Sequence, residues 1–397
     1  MNEKYVVCLN CGKVTPQREF CTYCHSPLIG AFEPPEPNED GIYIGDTEKG
    51  PFKLPLWCLA YHVAVYGVTG TGKTRFAMNL AIQAENAGLN LRILDVEGEW
   101  KKIIPYLKKE TLYYDVEKDM KVNPFDLKDV GLVRRLLKET IFKSVELEYQ
   151  DLSPQMNFLL DKCILVSHSI PELIENVIAY RPKVPFRIPN IEATRMALLS
   201  RLNPFKDNPV LRRIFYTFRS NINMESIGDR NIIIDLHSLD KRVVYKDEVR
   251  LIYNFITIAY LREALSRKET NEVKNVFIAD EAQLLVPKIL KKATVTDTWA
   301  TTDFATRLRK RGESFVIITQ SPSNIEDDIR RNTQNIFVFR LQDPKDIKAV
   351  IGMLGFVHVD ELSYFFSILT RLEKRKALFK SSLTNKPLVI RTTELKV

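Results

Sequence analysis

Residues 62–74 read His-Val-Ala-Val-Tyr-Gly-Val-Thr-Gly-Thr-Gly-Lys-Thr, and this stretch decides the fold. Residues 63–66 form a short apolar, strand-forming run, and residues 67–74 fit the phosphate-loop pattern G-x-x-x-x-G-K-[ST]. Residues 76–84 then have the composition of a helix. A buried strand aims such a loop, glycines let backbone N–H groups point at phosphate oxygens, and the helix N-terminus adds partial positive charge. A glycine-rich surface turn is disfavoured because strand, motif and helix occur together, so the stretch predicts a nucleotide-binding loop.

The chemistry of such a loop assigns a role to its last residues. Lys73 is expected to reach the β- and γ-phosphates of ATP, and the Thr74 hydroxyl is expected to ligate Mg²⁺. The predicted nucleotide-binding residues of the loop are Gly67, Val68, Thr69, Gly70, Thr71, Gly72, Lys73, Thr74 and Arg75.

Length and composition limit the class of protein. A chain of 397 residues predicts two or three domains, and 45% hydrophobic residues suit a globular protein with a substantial core. No apolar run reaches the roughly 18 residues that span a membrane, and the N-terminus lacks a signal-peptide core, which predicts a cytoplasmic protein without membrane insertion. A net charge of +8 favours nucleic acid or an acidic surface as partner, although it is diluted over a long chain.

Four of the six cysteines form two C-x-x-C pairs near the N-terminus, at Cys8, Cys11, Cys21 and Cys24. Each pair makes a tight knuckle with two thiolates, and two knuckles complete a tetrahedral zinc site. His25 is expected to belong to a knuckle and not to ligate. A redox dithiol is the competing interpretation, and four cysteines at this spacing disfavour it. Residues 1–30 are therefore predicted to form a zinc ribbon that acts as a structural cap, a protein-docking module or a DNA contact. Cys58 and Cys163 are predicted to be inert core residues.

The rest of the chain predicts an interrupted α/β domain. Residues 31–40 are a Pro-rich acidic linker, residues 41–128 and 231–397 are two parts of the α/β domain, and residues 129–230 are an all-helical insertion. Strands are expected at residues 63–66, 89–96, 231–236, 273–280, 314–319, 335–341 and 387–391. Helices are expected at residues 76–84, 130–144, 154–167, 171–179, 191–201, 210–218, 247–266, 297–311 and 346–352. Serial βα units imply a mostly parallel sheet covered by helices on both faces.

The insertion is rich in arginine. Its predicted basic surface consists of Arg195, Arg201, Arg212, Arg213 and Arg219. Such residues form either a binding face or ordinary solvent-exposed helix faces, and the sequence pattern does not distinguish these alternatives.

Three strand ends carry polar residues suited to ATP hydrolysis. The strand at 273–280 ends in Asp280-Glu281, which fits a Walker B site with one carboxylate for the Mg²⁺ shell and one for the attacking water. Gln320 follows the strand at 314–319 and is expected to sense the γ-phosphate, or else to be a simple polar strand end. Asp95 and the acidic residues after it lie where the ligand crevice of an open α/β sheet is expected.

Taken in order, these motifs resemble the HerA/FtsK superfamily of RecA-like pumping ATPases, which includes HerA, FtsK, viral packaging ATPases and conjugative type IV secretion ATPases. The resemblance runs from about residue 41 to about residue 352. The motifs that carry it are His62 with the phosphate loop, residues 95–99, Asn123-Pro124-Phe125, Ile234-Asp235-Leu236, Ala279-Asp280-Glu281-Ala282-Gln283, Thr319-Gln320-Ser321-Pro322-Ser323 and Asn332-Thr333-Gln334.

The resemblance implies a RecA-like fold and a hexameric ring with ATP at the subunit interfaces. It implies that Lys73 binds phosphate, that Thr74 and Asp280 hold Mg²⁺, that Glu281 polarises water and that Gln320 senses the γ-phosphate. A neighbouring subunit is expected to supply an arginine finger. The candidates are Arg309, Arg331 and Arg340, each of which could instead be a surface or sheet-edge arginine. Residues 286–292, with three lysines, are a pore-loop candidate or a solvated turn.

The leading hypothesis is an ATP-driven ring motor that translocates double-stranded DNA. The ribbon lies where HerA proteins carry a β-barrel. Unlike in FtsK-type pumps, no membrane helices precede the motor. The helical insertion resembles that of conjugation ATPases. These departures favour a viral or mobile-element member. The alternatives are a secretion-type ATPase that moves protein or pilus subunits without DNA stimulation, and a nucleotide-switched binding module. In each case the ribbon is a possible docking point for a protein partner.

Overall fold

The computed structural model describes residues 5–8, 13–18, 20–26, 28, 40–47, 50–141, 152–181, 190–222, 224–240, 246–285, 307–354, 359–384 and 387–392. Cys11, the candidate pore loop at 286–292 and nearly all of the predicted linker lie outside the described residues. The predicted helix at 297–311 lies mostly outside them as well.

The described chain contains thirteen strands and thirteen α-helices, with a run of helices in the region of the predicted insertion. The strands are β1 (Tyr5–Val7), β2 (Val14–Pro16), β3 (Ile42–Thr47), β4 (Gly50–Leu54), β5 (Val63–Tyr66), β6 (Asn90–Asp95), β7 (Thr111–Asp115), β8 (Asn231–Asp235), β9 (Thr270–Ala279), β10 (Arg311–Thr319), β11 (Asn335–Val338), β12 (Lys376–Lys380) and β13 (Leu388–Arg391). The α-helices are α1 (Lys73–Asn86), α2 (Val116–Asp119), α3 (Val130–Ile141), α4 (Pro154–Ile164), α5 (Ile170–Ala179), α6 (Ile191–Leu202), α7 (Pro204–Asp207), α8 (Pro209–Phe215), α9 (His237–Asp240), α10 (Lys246–Ser266), α11 (Asp327–Asn332), α12 (Pro344–Leu354) and α13 (Val359–Arg371).

One large sheet carries the α/β domain, in the strand order β4-β3-β13-β12-β11-β5-β10-β9-β6-β8-β7. The strands from β11 to β7 in this order are parallel to one another. The remaining strands, β12, β13, β3 and β4, pair in antiparallel fashion and extend the sheet beyond β11. The predicted mostly parallel sheet is confirmed, and the antiparallel extension was not predicted.

The central strand β5 shows why the sheet is covered on both faces. Its residues are all buried, and they alternate between two hydrophobic cores because side chains point to opposite faces of a strand. Ala64 and Tyr66 enter the core shared with α10 and the insertion helices. Val63 and Val65 enter the core shared with α1. Strand β5 therefore lies in the middle of the domain, where its end can hold a loop in a fixed position.

Helices α3 to α8 occupy the region of the predicted insertion, and each predicted helix is present, with bounds that differ by up to three residues. The predicted end of the first one, at residue 144, lies outside the described residues. Asn123 ties the start of this region to its end. Its amide donates to the carbonyls of His168 at 2.8 Å and Phe218 at 3.1 Å, and its oxygen accepts from the Phe125 N–H at 3.2 Å. The domain boundaries themselves stay predictions.

The basic surface predicted for the insertion is wrong at Arg195, which is buried. Its guanidinium pairs with Glu192 and donates to the carbonyls of Val177 at 3.1 Å and Tyr180 at 2.7 Å. This arginine therefore joins α6 to α5 instead of facing solvent. By contrast, Arg212, Arg213 and Arg219 are exposed.

The helix predicted to end at 311 is also wrong at its end. Leu308 accepts a backbone hydrogen bond from Arg311 at 2.8 Å, which closes a turn, and Arg311 is the first residue of β10. Strands β7 and β12, helix α13 and the hairpin of β3 and β4 were not predicted from the sequence. Within the described ranges, no helix is long and apolar enough to cross a membrane.

Candidate nucleotide-binding site

The loop between β5 and α1 has the geometry of a phosphate cradle. Gly70 and Gly72 have φ of 81° and 105°, values that favour glycine. No side-chain hydrogen bond caps the N-terminus of α1, and its first residues, Lys73 and Thr74, line the cleft beside the loop. Gly67 has no room for a side chain, since a Cβ there would lie 2.6 Å from Phe339 Cβ. The loop is thus shaped to present backbone N–H groups and a helix N-terminus to an anion.

Neighbouring strand ends hold the loop in place. The Gly67 N–H donates to the carbonyl of Thr319 at 3.3 Å, and the Val68 N–H donates to the carbonyl of Arg340 at 3.0 Å. Within the loop, the Thr71 hydroxyl donates to the Val68 carbonyl at 2.7 Å. The loop therefore needs the strands on both sides of β5 to be in place.

Two buried carboxylates lie beside the loop at adjacent strand ends. Asp95, at the end of β6, accepts from the N–H groups of Gly98 at 2.7 Å and Trp100 at 2.9 Å. Asp280, directly after β9, accepts from the Trp100 indole N–H at 3.2 Å and from the Glu281 N–H at 3.1 Å. One tryptophan thus holds both carboxylates, through its backbone and through its ring.

The electrostatics of this pair are unfavourable in the absence of a cation. Burial, together with the charges of Asp95 and Glu281, raises the pKa of Asp280 to about 7, while the Trp100 bond and Lys73 act in the opposite direction. Burial likewise raises the pKa of Asp95 to about 6 against its backbone hydrogen bonds. Lys73 itself is buried. A site that concentrates negative charge in this way fits a divalent cation.

Glu281 and Gln320 meet above the loop in a chain of hydrogen bonds. Gln320 accepts from the Thr69 hydroxyl at 2.7 Å and donates from its amide to Glu281 at 2.9 Å. Gln283 donates to the other oxygen of Glu281 and accepts from the Thr319 hydroxyl at 2.5 Å. Glu281 has φ of 48°, a left-handed conformation that is uncommon for residues with a side chain. The structure therefore brings together the predicted Walker B glutamate and the predicted sensor.

The phosphate loop, Glu281 and Gln320 line one cleft of about 420 Å³. Its lining residues are Thr69, Gly70, Gly72, Lys73, Thr74, Arg75, Glu97, Glu99, Glu281, Gln320, Lys374, Arg375 and Thr392. The last three residues were missed by the sequence reasoning. They come from the turn between α13 and β12 and from the end of β13, and they carry no motif.

A family model for the central domain of the helicase HerA matches residues 42–257, which is more than half of the chain. The chain belongs to the HerA central-domain family. A second model, for the zonular occludens toxin (Zot), matches residues 217–362.

Two curated HerA proteins are similar to this HerA-family chain. The DNA double-strand break repair helicase HerA of Sulfolobus acidocaldarius is 24% identical over 328 residues, which cover 78% of this chain and 61% of that protein. The HerA of Sulfurisphaera tokodaii is 21% identical over 314 residues, covering 75% and 59%. The chain therefore spans about three fifths of the length of these relatives.

Solved structures support the same fold for this HerA-family chain. VirB4 of Thermoanaerobacter pseudethanolicus has a TM-score of 0.67 at 18% identity, covering 91% of this chain and 99% of that one. The plasmid coupling protein TrwB, in complex with ADP and Mg²⁺, has a TM-score of 0.66 at 16% identity, covering 90% and 91%. The fold is that of the RecA-like P-loop ATPases, as predicted.

Two of the three arginine-finger candidates, Arg309 and Arg331, lie away from the phosphate loop of their own chain. Arg309 precedes β10, and its guanidinium stacks 3.9 Å from the centroid of the Tyr61 ring. Arg331 lies on α11, before β11, with its guanidinium 3.9 Å from Asp328. Both residues are at the edge of the sheet opposite the loop, because β10 and β11 run parallel to β5. Arg340 follows β11 and touches the loop through its carbonyl.

The N-terminal cysteines that the structure describes form a cluster. The sulfurs of Cys8, Cys21 and Cys24 lie within 4.8 Å of one another, and those of Cys8 and Cys24 are 3.6 Å apart. Sulfurs bound tetrahedrally to one zinc ion lie roughly 3.8 Å apart, given a Zn–S bond of about 2.3 Å. His25 is exposed with φ of 54°, as expected of a knuckle residue. The three thiols are thus placed to hold a zinc ion. Cys58 and Cys163 are buried elsewhere, and burial raises the pKa of each thiol to about 11.

Proposed function

We propose that this chain is a subunit of a ring-shaped, ATP-hydrolysing motor that translocates double-stranded DNA. The observation that carries the proposal is the convergence of the phosphate loop, Glu281 and Gln320 in one cleft, with the buried Asp280 directly before Glu281. A nucleotide-binding module without turnover would not need a carboxylate held by hydrogen bonds at the mouth of that cleft. The family and the net charge of +8 favour DNA as the substrate.

The phosphate loop, Glu281 and Gln320 each have a role in this proposal. The N–H groups of the loop and the Lys73 ammonium bind the phosphate chain. Glu281 orients the attacking water and accepts its proton, since a general base must lie within hydrogen-bond reach of the water. Gln320 is already bonded to Glu281 at 2.9 Å, so it can exchange that bond for one to the γ-phosphate and report its presence.

Mg²⁺ fits two donors near the phosphate loop, one of which lines the cleft and one of which is buried. Thr74 supplies a hydroxyl at the start of α1, and Asp280 supplies a carboxylate whose raised pKa reflects burial next to other acids. These two residues would hold the ion, which supplies neutralisation of the phosphate charge when bound. Trp100 keeps the Asp280 carboxylate oriented by its indole N–H.

We propose that the chain forms a homo-oligomer, a hexamer as the family resemblance implies, and that ATP binds at the interfaces between its subunits. Arg309 and Arg331 support this arrangement because they lie at the opposite edge of the sheet from their own loop, where a neighbour's nucleotide could be reached. The zinc ribbon, with one Zn²⁺ held by the four N-terminal cysteines, is proposed as the docking point for a protein partner. Residues 286–292 remain the proposed contact with DNA in the pore.

The test is steady-state ATPase activity of the full chain, with and without linear double-stranded DNA, at low and moderate salt. We expect DNA to stimulate hydrolysis, and we expect the stimulation to fade as salt rises because phosphate contacts release counterions. Glu281→Gln should lower turnover about 100-fold or more while ATP still binds, since general base catalysis contributes roughly 10²–10⁴. Hydrolysis by Glu281→Gln at the parent rate would refute the catalytic assignment.

The second candidate function is a secretion-type ATPase that moves protein or pilus subunits. The similarity to VirB4 and TrwB in fold favours keeping it. Robust hydrolysis that is indifferent to DNA would support this candidate against the first.

A further inference from the structure

The turn between α13 and β12 brings two cations to the cleft from a part of the chain without any nucleotide motif. Lys374 and Arg375 line the cleft, and both are exposed. They lie some three hundred residues after the loop. Neither Lys374 nor Arg375 belongs to a sequence motif that contributes groups for ATP hydrolysis.

The backbone of Arg375 is held from two sides. Its N–H donates to the carbonyl of Thr71 in the phosphate loop at 3.2 Å. Its carbonyl accepts from the N–H of Thr392 at 2.8 Å and from the Thr392 hydroxyl at 3.1 Å. Arg375 also has φ of 68°, a left-handed conformation that a residue with a side chain keeps only when its surroundings impose it. These hydrogen bonds therefore fix the position of the turn relative to the phosphate loop.

A second set of contacts stiffens the same turn. The Lys376 ammonium pairs with Glu373 at 3.0 Å, and the Lys376 N–H donates to the Glu373 carbonyl at 3.1 Å. Leu372 is buried directly before them. Lys374 and Arg375 thus lie in a braced turn, and both residues line the cleft.

The order of strands decides which end of a nucleotide meets this turn. Glu281 and Gln320 follow β9 and β10, on one side of β5, while the turn precedes β12, on the other side. The phosphate loop lies between them. A γ-phosphate placed at Glu281 and Gln320 leaves the α-phosphate and the nucleoside to extend across the loop toward the turn.

Resting on the proposed function, we infer that Lys374 and Arg375 bind the α-phosphate and nucleoside end of the nucleotide within the same subunit. The ligand class is a nucleoside di- or triphosphate. Because these contacts are far from the γ-phosphate, they serve ATP and ADP alike. They also couple nucleotide occupancy to the antiparallel part of the sheet, through Thr392 at the end of β13.

The test is calorimetric binding of ADP and of a non-hydrolysable ATP analogue, each with Mg²⁺, to the full chain. Lys374→Ala should raise the dissociation constant of both ligands about 3–10-fold, the size expected for one partly exposed charge-assisted hydrogen bond. Arg375→Gly should do the same, because glycine keeps the left-handed backbone while the cation is removed. Lys374→Arg should restore binding. Arg371→Ala, an exposed arginine at the end of α13 outside the cleft, is the matched control and should bind as the parent does.

Three outcomes overturn the inference. One is binding of ADP by the Lys374→Ala, Arg375→Gly double variant within twofold of the Arg371→Ala control. Another is a loss confined to the ATP analogue, which would place the cations at the γ-phosphate. The third is failure of the parent chain to bind either ligand, which would also remove the proposed function. If the parent chain binds both ligands and the double variant binds them equally well, only the inference about Lys374 and Arg375 is removed, and the proposed function stands.

Discussion

Gly67 is the position where the site leaves the least room, and Gly67→Ala is the variant that tests this directly. A Cβ at residue 67 would lie 2.6 Å from Phe339 Cβ and 3.0 Å from the Thr71 hydroxyl oxygen. Carbon atoms in van der Waals contact lie about 3.5–4.0 Å apart, so the overlap with Phe339 is roughly 1 Å. Because the clash is with a Cβ, no rotamer of Phe339 relieves it.

The surroundings of Phe339 also resist movement. Its side chain is fully buried, its ring lies 5.7 Å from that of Phe76, and its N–H donates to the Tyr66 carbonyl at 2.8 Å. The added methyl group must therefore displace the start of the loop. Overpacking of this kind costs about 1–3 kcal/mol, and we expect the free energy of unfolding to fall by that amount. The displaced loop should also bind ADP at least tenfold more weakly.

Urea unfolding followed by circular dichroism measures the first effect, and calorimetry with ADP measures the second. Gly352→Ala is the matched control, since it adds the same methyl group at an exposed position of α12 with nothing within 4 Å. That control should gain about 0.5–1 kcal/mol from the higher helix propensity of alanine. A Gly67→Ala protein that unfolds at the parent urea concentration and binds ADP as the parent does would refute the close-packing argument.

Two further predictions concern the metal sites. Trp100→Phe removes the indole N–H that donates to Asp280 at 3.2 Å, so we expect a higher Mg²⁺ requirement for ATP hydrolysis and a loss of about 1–3 kcal/mol in stability; an unchanged Mg²⁺ titration would argue against a positioning role. Elemental analysis should find one zinc ion per chain, and Cys21→Ser should lower that content by more than half because one thiolate ligand is lost. Metal-free protein with disulfides in place of thiols would contradict the zinc site.

The phosphate loop could be predicted from the sequence because its chemistry requires a strand, a loop and a helix in direct succession. The observed β5 has the bounds that were predicted, and α1 contains the predicted residues 76–84 but begins three residues earlier, at Lys73. The Walker B pair was found for a similar reason, since a buried apolar strand before Asp280 and Glu281 is a strong local pattern. Side chains that meet at the ends of parallel strands can be placed together once the sheet is inferred.

Other elements had no such local pattern. Strand β7 is half-buried throughout and reads Thr-Leu-Tyr-Tyr-Asp, without the apolar run of a central strand. Strand β12 begins and ends in lysine. Arg195 has the helical spacing of a surface residue, and only the packing of α5 against α6 shows that it is buried. Lys374 and Arg375 reach the cleft through antiparallel pairing between distant strands, which no spacing rule reveals.

The strand order also sets when the site can form during synthesis. Strand β5 pairs with β10 and β11, and both follow it by more than half of the chain. Strand β3, near the start of the domain, pairs with β13, near residue 391. Such distant contacts form only after a long loop has closed, and the loss of chain entropy on closure opposes this step. A nascent chain that has emerged only as far as the insertion carries the complete phosphate-loop sequence and neither of the strands that flank it. The phosphate loop is thus fixed in place only after β10 and β11 have been synthesised, although its own sequence is made much earlier.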